Sequence, residues 1–120
     1  GNADQIVRFE EEGTEGADVV VVAYGITARV ARMGIQLAME KGVKVGFIRL
    51  IVVWPFPEKR IRELAGEIKA FVVPEINYGQ MVLEVERCVA GQAAVVSVPH
   101  GGGGVHDPNT ISETIQGAAK

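Results

Sequence analysis

The stretch "ADVVVVAY", Ala17 to Tyr24, constrains the fold more than any other part of the chain, because its branched apolar residues run on without alternating with polar ones. A strand apolar on both sides has to be covered on both faces, as in a parallel sheet with helices above and below it. Three later segments read as further strands: "KVGFIRLIVV", "AFVVPE" and "AAVVSV". "QIVRF" near the start reads as an additional edge strand, and Glu10 to Gly16, short and acidic, as a loop.

Helical spacing fills the gaps between the strands. After Gly25, Thr27 is placed to cap a helix with Val30, Met33, Gly34, Leu37 and Ala38 inward, Arg29, Arg32, Gln36 and Glu40 outward, and Gly42 as its stop. In "WPFPEKRIRELAGEIK", Pro57 suits a first turn, and Ile61, Leu64, Ala65 and Ile68 form the inner stripe. Glu58 with Arg62 and Lys59 with Glu63 make pairs four apart on the outer face. A third helix starts near Gly79 with Met81, Val82, Val85 and Val89 inward. "DPNTISETI" opens a fourth, capped by Asp107 or Thr110, the latter with Glu113 as a capping box. Strand and helix thus alternate, which predicts an α/β fold: a three-layer, doubly wound, mostly parallel sheet of about five strands with helices on both faces.

Composition narrows the function. A chain of 120 residues, 48% apolar, is one globular domain. Twelve basic against fifteen acidic side chains, net −3, give no electrostatic footprint for nucleic acid or an anionic membrane. The apolar runs fall far short of the ~20 residues that cross a bilayer, so a soluble domain is expected. The single Cys88 can form no internal disulfide, cluster or structural zinc site. Gly1 to Ala3 read as an appended remnant, and residues 4–120 as one domain of a longer subunit.

In such sheets ligands gather beyond the carboxyl ends of the strands, where four segments arrive. "AYGITAR" has one glycine where a dinucleotide fold needs three, so it reads as a tight turn with Thr27 as cap. "HGGGGVHD" offers His100, His106 and Asp107 as metal ligands, but glycines between the histidines leave no rigid scaffold, and Asp107 is engaged as a cap. "WPFP" holds Trp54 and Phe56 in a proline-braced turn suited either to an interface or to closing the core. In "VVPEINYGQM", Glu75 has no histidine or second carboxylate nearby in sequence to tune it. Glu75, Asn77, Gly79 and Gln80 therefore read as a structural or interface loop rather than a catalytic centre.

Taken together, these motifs resemble the carboxyl-terminal, transketolase-C-like domain of the alpha subunit of 2-oxoacid:ferredoxin oxidoreductases. The resemblance runs from Ala17 to the end and rests on Tyr24 and Gly25, Trp54 to Pro57, and Glu75, Asn77, Gly79 and Gln80. It implies a cytoplasmic, multi-subunit enzyme that oxidatively decarboxylates a 2-oxoacid on thiamine diphosphate with magnesium, sends electrons through iron–sulfur clusters to ferredoxin, and transfers the acyl group to coenzyme A. On that reading the cofactors lie elsewhere in the complex, and this domain holds no catalytic, cofactor or metal residue of its own. Tyr24, Gly25, Thr27, Trp54, Phe56, Glu75, Asn77, Gly79 and Gln80 then serve contacts with other domains and subunits. The glycine-rich "HGGGGVHDPN" is longer than the family's usual turn at that place. The alternative is a stand-alone flavodoxin-like nucleotide- or flavin-binding module, for which "YGITA" supplies little of the necessary loop. A receiver domain would need paired acidic residues where Ala23, Tyr24 and Gly25 stand.

Overall fold

A computed structural model describes residues 9–24, 27–51, 57–74, 80–98 and 107–120. Its elements are β1 (Phe9–Glu12), β2 (Val19–Tyr24), α1 (Ala28–Glu40), β3 (Val45–Leu50), α2 (Glu58–Ala65), β4 (Ala70–Pro74), α3 (Gln80–Val89), β5 (Ala94–Val98) and α4 (Pro108–Ala118). The five strands form one sheet in the order β1-β3-β2-β4-β5. All neighbours are parallel except β1 and β3. This is the three-layer α/β architecture expected from the uninterrupted apolar strands.

Period-two alternation divides β2 between two cores. Val20 and Val22 join Ile48, Leu50, Phe71 and Val73 under α2 and α3. Val19, Val21 and Ala23 join Phe47, Val72 and Val98 under α1 and α4. Val19 to Ala23 are entirely buried, as a central strand covered from both sides must be.

The inner stripe of α1 is rotated from the sequence expectation. Ala28, Ala31, Gly34, Ile35 and Ala38 are its buried residues, whereas Met33 is 53% exposed. The cause is α4, which crosses so closely that a Cβ added at Gly34 would sit 2.5 Å from Ile111 Cγ2. Small side chains, not large ones, define that face.

Residues 10–12 correct a second expectation: they are strand, not loop. β1 pairs antiparallel with β3 in the register Phe9↔Leu50 to Glu12↔Phe47, and residues 5–8 of "QIVRF" lie outside the described residues. Each acidic residue of β1 meets an arginine from a different element. Glu10 accepts from Arg49 of β3 at 2.9 Å, Glu11 from Arg60 of α2 at 2.7 and 2.8 Å, and Glu12 from Arg32 of α1 at 2.7 Å twice. The charges that argue against a strand in isolation are what hold it to both helical layers. Beyond β1, the turn through Thr14 lies against β3 so tightly that a Cβ at Gly46 would come within 2.7 Å of the Thr14 Cα.

Helix ends follow the sequence in part. Asp107 caps α4, its Oδ1 accepting from the Asn109 N–H at 2.8 Å, and the Thr110 with Glu113 box is not used, because both residues lie inside the helix. Gly42 takes φ +92° after α1, as a helix stop requires. On α2 the Glu58 with Arg62 pair forms at 2.6 Å, while Glu63 meets Arg60 at 3.2 Å in place of Lys59.

Candidate functional site

The connection from β2 leads through α1 to β3 on one side, and that from β4 leads through α3 to β5 on the other. The winding therefore reverses between β2 and β4, and a crevice beyond their carboxyl ends is where this class of sheet places ligands. Tyr24 ends β2 at this edge, Pro74 ends β4, and α1 and α3 both begin there.

β2 is paired with β4 over fewer residues than with β3. β2 stays paired with β3 up to Tyr24↔Leu50, but its ladder with β4 stops at Val21↔Val72. Along β4, the backbone of Ala70, Val72 and Pro74 faces β2, while Phe71 and Val73 face β5. The next donor toward β2 would come from position 74, and proline has no N–H to give the Val22 carbonyl. The β4 and β5 ladder runs on to Pro74↔Val98, since it does not need that donor. Proline is normally kept out of central strands. Here it ends the β2–β4 ladder at the switch point.

Tyr24 is half-buried and packs against the core under α2 and α3. Thr27 is buried, but it does not cap α1 through its side chain. Its Oγ1 donates instead to the Tyr24 carbonyl at 3.1 Å, a bond that ties the start of α1 back to the end of β2. Gln80 is the first residue of α3. Thus Tyr24, Thr27 and Gln80 stand on elements meeting at the carboxyl edge, whereas Gly25, Trp54, Phe56, Glu75, Asn77 and Gly79, like His100 and His106, lie outside the described residues. Sequence reasoning treated Pro74 as the tail of an apolar run. Its position in an otherwise unbroken buried strand was the signal that could have singled it out.

A hollow of about 440 Å³ lies between α1 and the β1–β3 side of the sheet, with Ile35, Val45 and Phe47 among its lining residues. At its rim Arg32 is held by both Glu12 oxygens and lies over the Phe47 ring, 5.1 Å from the centroid, so its charge is already matched. The Arg32 guanidinium in turn holds the Glu12 carboxyl below its ordinary value. Cys88 is buried at the far end of α3. Burial pushes its thiol up, opposite to the shift a reactive thiolate needs. Among the described residues no three His, Cys, Asp or Glu side chains come together in a group that could hold a metal ion. No helix among them is long and apolar enough to cross a membrane.

Fold and edge together define a doubly wound α/β domain with its crevice at the reversal of the sheet. The family described as pyruvate:ferredoxin oxidoreductase core domain II matches residues 17–111, and the chain belongs to that family. This membership sets aside a stand-alone flavodoxin-like module. The 2-oxoglutarate synthase subunit KorA of Methanothermobacter marburgensis is 39% identical over 114 residues, 95% of this chain and 30% of that relative. The ketoisovalerate oxidoreductase subunit VorB of Methanothermobacter thermautotrophicus is also 39% identical, over 113 residues, 94% of this chain and 32% of its own. The chain therefore spans about a third of the length of these curated relatives. Among solved structures, a 2-oxoglutarate:ferredoxin oxidoreductase from Magnetococcus marinus, with 2-oxoglutarate, coenzyme A and succinyl-CoA bound, superposes with a TM-score of 0.75. It does so at 24% identity over 98% of this chain and 21% of that one. A split-gene transketolase superposes at 0.72 with 17% identity, over 93% of this chain and 41% of the other. These two likenesses concern the fold.

Proposed function

We propose that this chain is the transketolase-C-like domain of the alpha subunit of a thiamine-diphosphate-dependent 2-oxoacid:ferredoxin oxidoreductase, and that it serves assembly and positioning without turnover of its own. The whole enzyme would convert a 2-oxoacid, coenzyme A and oxidised ferredoxin into acyl-CoA, carbon dioxide and reduced ferredoxin. The observation that carries this reading is the family match over residues 17–111. On this reading thiamine diphosphate with magnesium and the iron–sulfur clusters belong to other parts of the complex, and no step of their chemistry is routed through these residues.

The carboxyl edge is the surface proposed to meet the neighbouring domains and subunits. Tyr24, Gly25, Thr27, Trp54, Phe56, Glu75, Asn77, Gly79 and Gln80 are the residues proposed for that contact. On this reading substrate choice lies outside this domain.

The test is thermal unfolding of the 120-residue chain with thiamine diphosphate plus magnesium, coenzyme A, FMN, NAD or ATP. A ligand present at about 100 times its dissociation constant adds ~2.7 kcal/mol, readily seen in a domain of this size. No shift with any of them is expected. A clear rise with one would overturn the purely architectural role and place a binding site in this domain.

A further inference from the structure

β1 is fastened to the sheet differently from the other strands. Among the described strands it alone has no buried residue, and Phe9, partly buried at the margin of the core under α2 and α3, is its one apolar side chain. Three ion pairs take the place of a core: Glu10 with Arg49, Glu11 with Arg60 and Glu12 with Arg32. All of these side chains are open to solvent in part, so salt screens them, over a distance that shrinks from ~10 Å at 0.1 M to ~3 Å at 1 M. The end of β1 is held by shape instead. Thr14 is buried and lies against Gly46, and between Glu12 and Thr14 stands Gly13 at φ +63°, a conformation glycine adopts without steric cost.

Backbone direction on β3 follows from one bond. The Val19 N–H donates to the Lys44 carbonyl at 3.3 Å, so Lys44 faces β2. Successive residues of a strand turn their N–H and C=O to opposite sides. Gly46, Ile48 and Leu50 therefore also face β2, while Phe47 and Arg49 face β1. In the register of the two strands, Glu10↔Arg49 and Glu12↔Phe47 are then the pairs that exchange backbone bonds.

From this arrangement we propose that β1 is a charge-fastened strap, hinged at Gly13 and anchored by Thr14, which lifts off β3 as a unit while the other four strands stay folded. Lifting breaks the bonds to Phe47 and Arg49, and Phe9 is the one apolar side chain of the strap that leaves the core, so the opening costs less than unfolding the sheet. The same movement frees Arg32 and takes Glu12 away from the hollow beside Phe47. The position of the strap thus sets how open that hollow is. Every bond involved lies within this chain, and the inference does not depend on the enzymatic reading.

Hydrogen exchange along β3 tests it, because one strand carries both probe and control. In the 120-residue chain, after allowance for intrinsic rates, the Phe47 and Arg49 amides should exchange at least about tenfold faster than those of Ile48 and Leu50, as a local opening requires. Raising sodium chloride from about 0.1 M to about 1 M should accelerate the Phe47 and Arg49 amides several-fold and leave the other two unchanged. Glu12→Gln keeps the size of a partly exposed side chain and removes one ion pair; it should speed the same two amides at low salt and reduce their response to added salt. Phe47 and Arg49 amides as slow as those of Ile48 and Leu50 would overturn the inference. So would a difference between the two sets that neither salt nor Glu12→Gln alters, because charge would then not be what fastens the strap.

Discussion

Arg60 of α2 reaches across to Glu11 of β1 with two parallel hydrogen bonds, Nε to Oε1 at 2.8 Å and Nη2 to Oε2 at 2.7 Å, and Thr14 Oγ1 donates to the same carboxylate. The Arg60 bonds hold the Glu11 carboxyl below its ordinary value of 4.5 against the opposing effect of burial. A folded carboxyl with a depressed pKa contributes stability in full above the unfolded value, and the contribution drains away as pH falls through the lower folded one. Glu11→Gln should therefore lower stability by about 1 kcal/mol at neutral pH, as for a half-screened bidentate pair. The gap in melting temperature between the two proteins should close as the pH drops from 5 toward 2. A gap of equal size at both ends would show that packing, not charge, is what the substitution disturbs.

Close packing of α1 on α4 predicts a large cost for a small change. Alanine at position 34 would bring its Cβ within 2.5 and 2.7 Å of Ile111 and 3.1 Å of the Pro108 carbonyl. Overpacking of this kind costs about 1–3 kcal/mol, more than the ~1 kcal/mol alanine gains over glycine inside a helix. Gly34→Ala should thus destabilise in urea melts, and in an Ile111→Ala background, which removes the Cγ2 contact but keeps the Ile111 Cβ at 2.7 Å, the cost should shrink without vanishing. Equal costs in the two backgrounds would sink the idea that Ile111 is the obstacle.

How much of this was visible in the sequence depends on how far apart the deciding residues lie. The buried strands and the α2 stripe of Ile61, Leu64 and Ala65 were legible because local periodicity dictates them. β1 was not, since Glu10, Glu11 and Glu12 become strand through Arg49, Arg60 and Arg32, which are 39, 49 and 20 residues away. The inner face of α1 was misplaced because α4 selects it, at Ile111. At the candidate site, the convergence of Tyr24 and Thr27 could be read from strand and helix order. The bond between them, and the direction in which Pro74 lacks its donor, needed the register of β2 against β4.

Backbone strain at Ala90 offers a stabilising change. It follows the last residue of α3 with φ +52°, ahead of Gly91 at +81°. A left-handed conformation costs a residue with a Cβ roughly 1–2 kcal/mol, and glycine escapes that cost while losing more entropy on folding. Ala90→Gly should raise stability by up to about 1 kcal/mol, a rise of roughly 4–8 °C in melting temperature for a domain near this size. Ala90→Val, branched at the same φ, should lower it. A fall with glycine would mean that the left-handed turn is not populated in solution.

The crevice between β2 and β4 gives the most direct test of the site geometry. If the ladder stops at Val21↔Val72 only because Pro74 has no donor, then Pro74→Ala supplies the N–H that the Val22 carbonyl faces, and the strands should zip one step further toward the carboxyl edge. The new amide at position 74 should exchange slowly with solvent, with a protection comparable to that of the Val72 amide, and the stability gain should lie near the ~1 kcal/mol of an ordinary hydrogen bond. A position-74 amide that exchanges at the rate of an open loop would show that something other than the missing donor holds β2 and β4 apart, and Pro74 would lose its place in the account of the site.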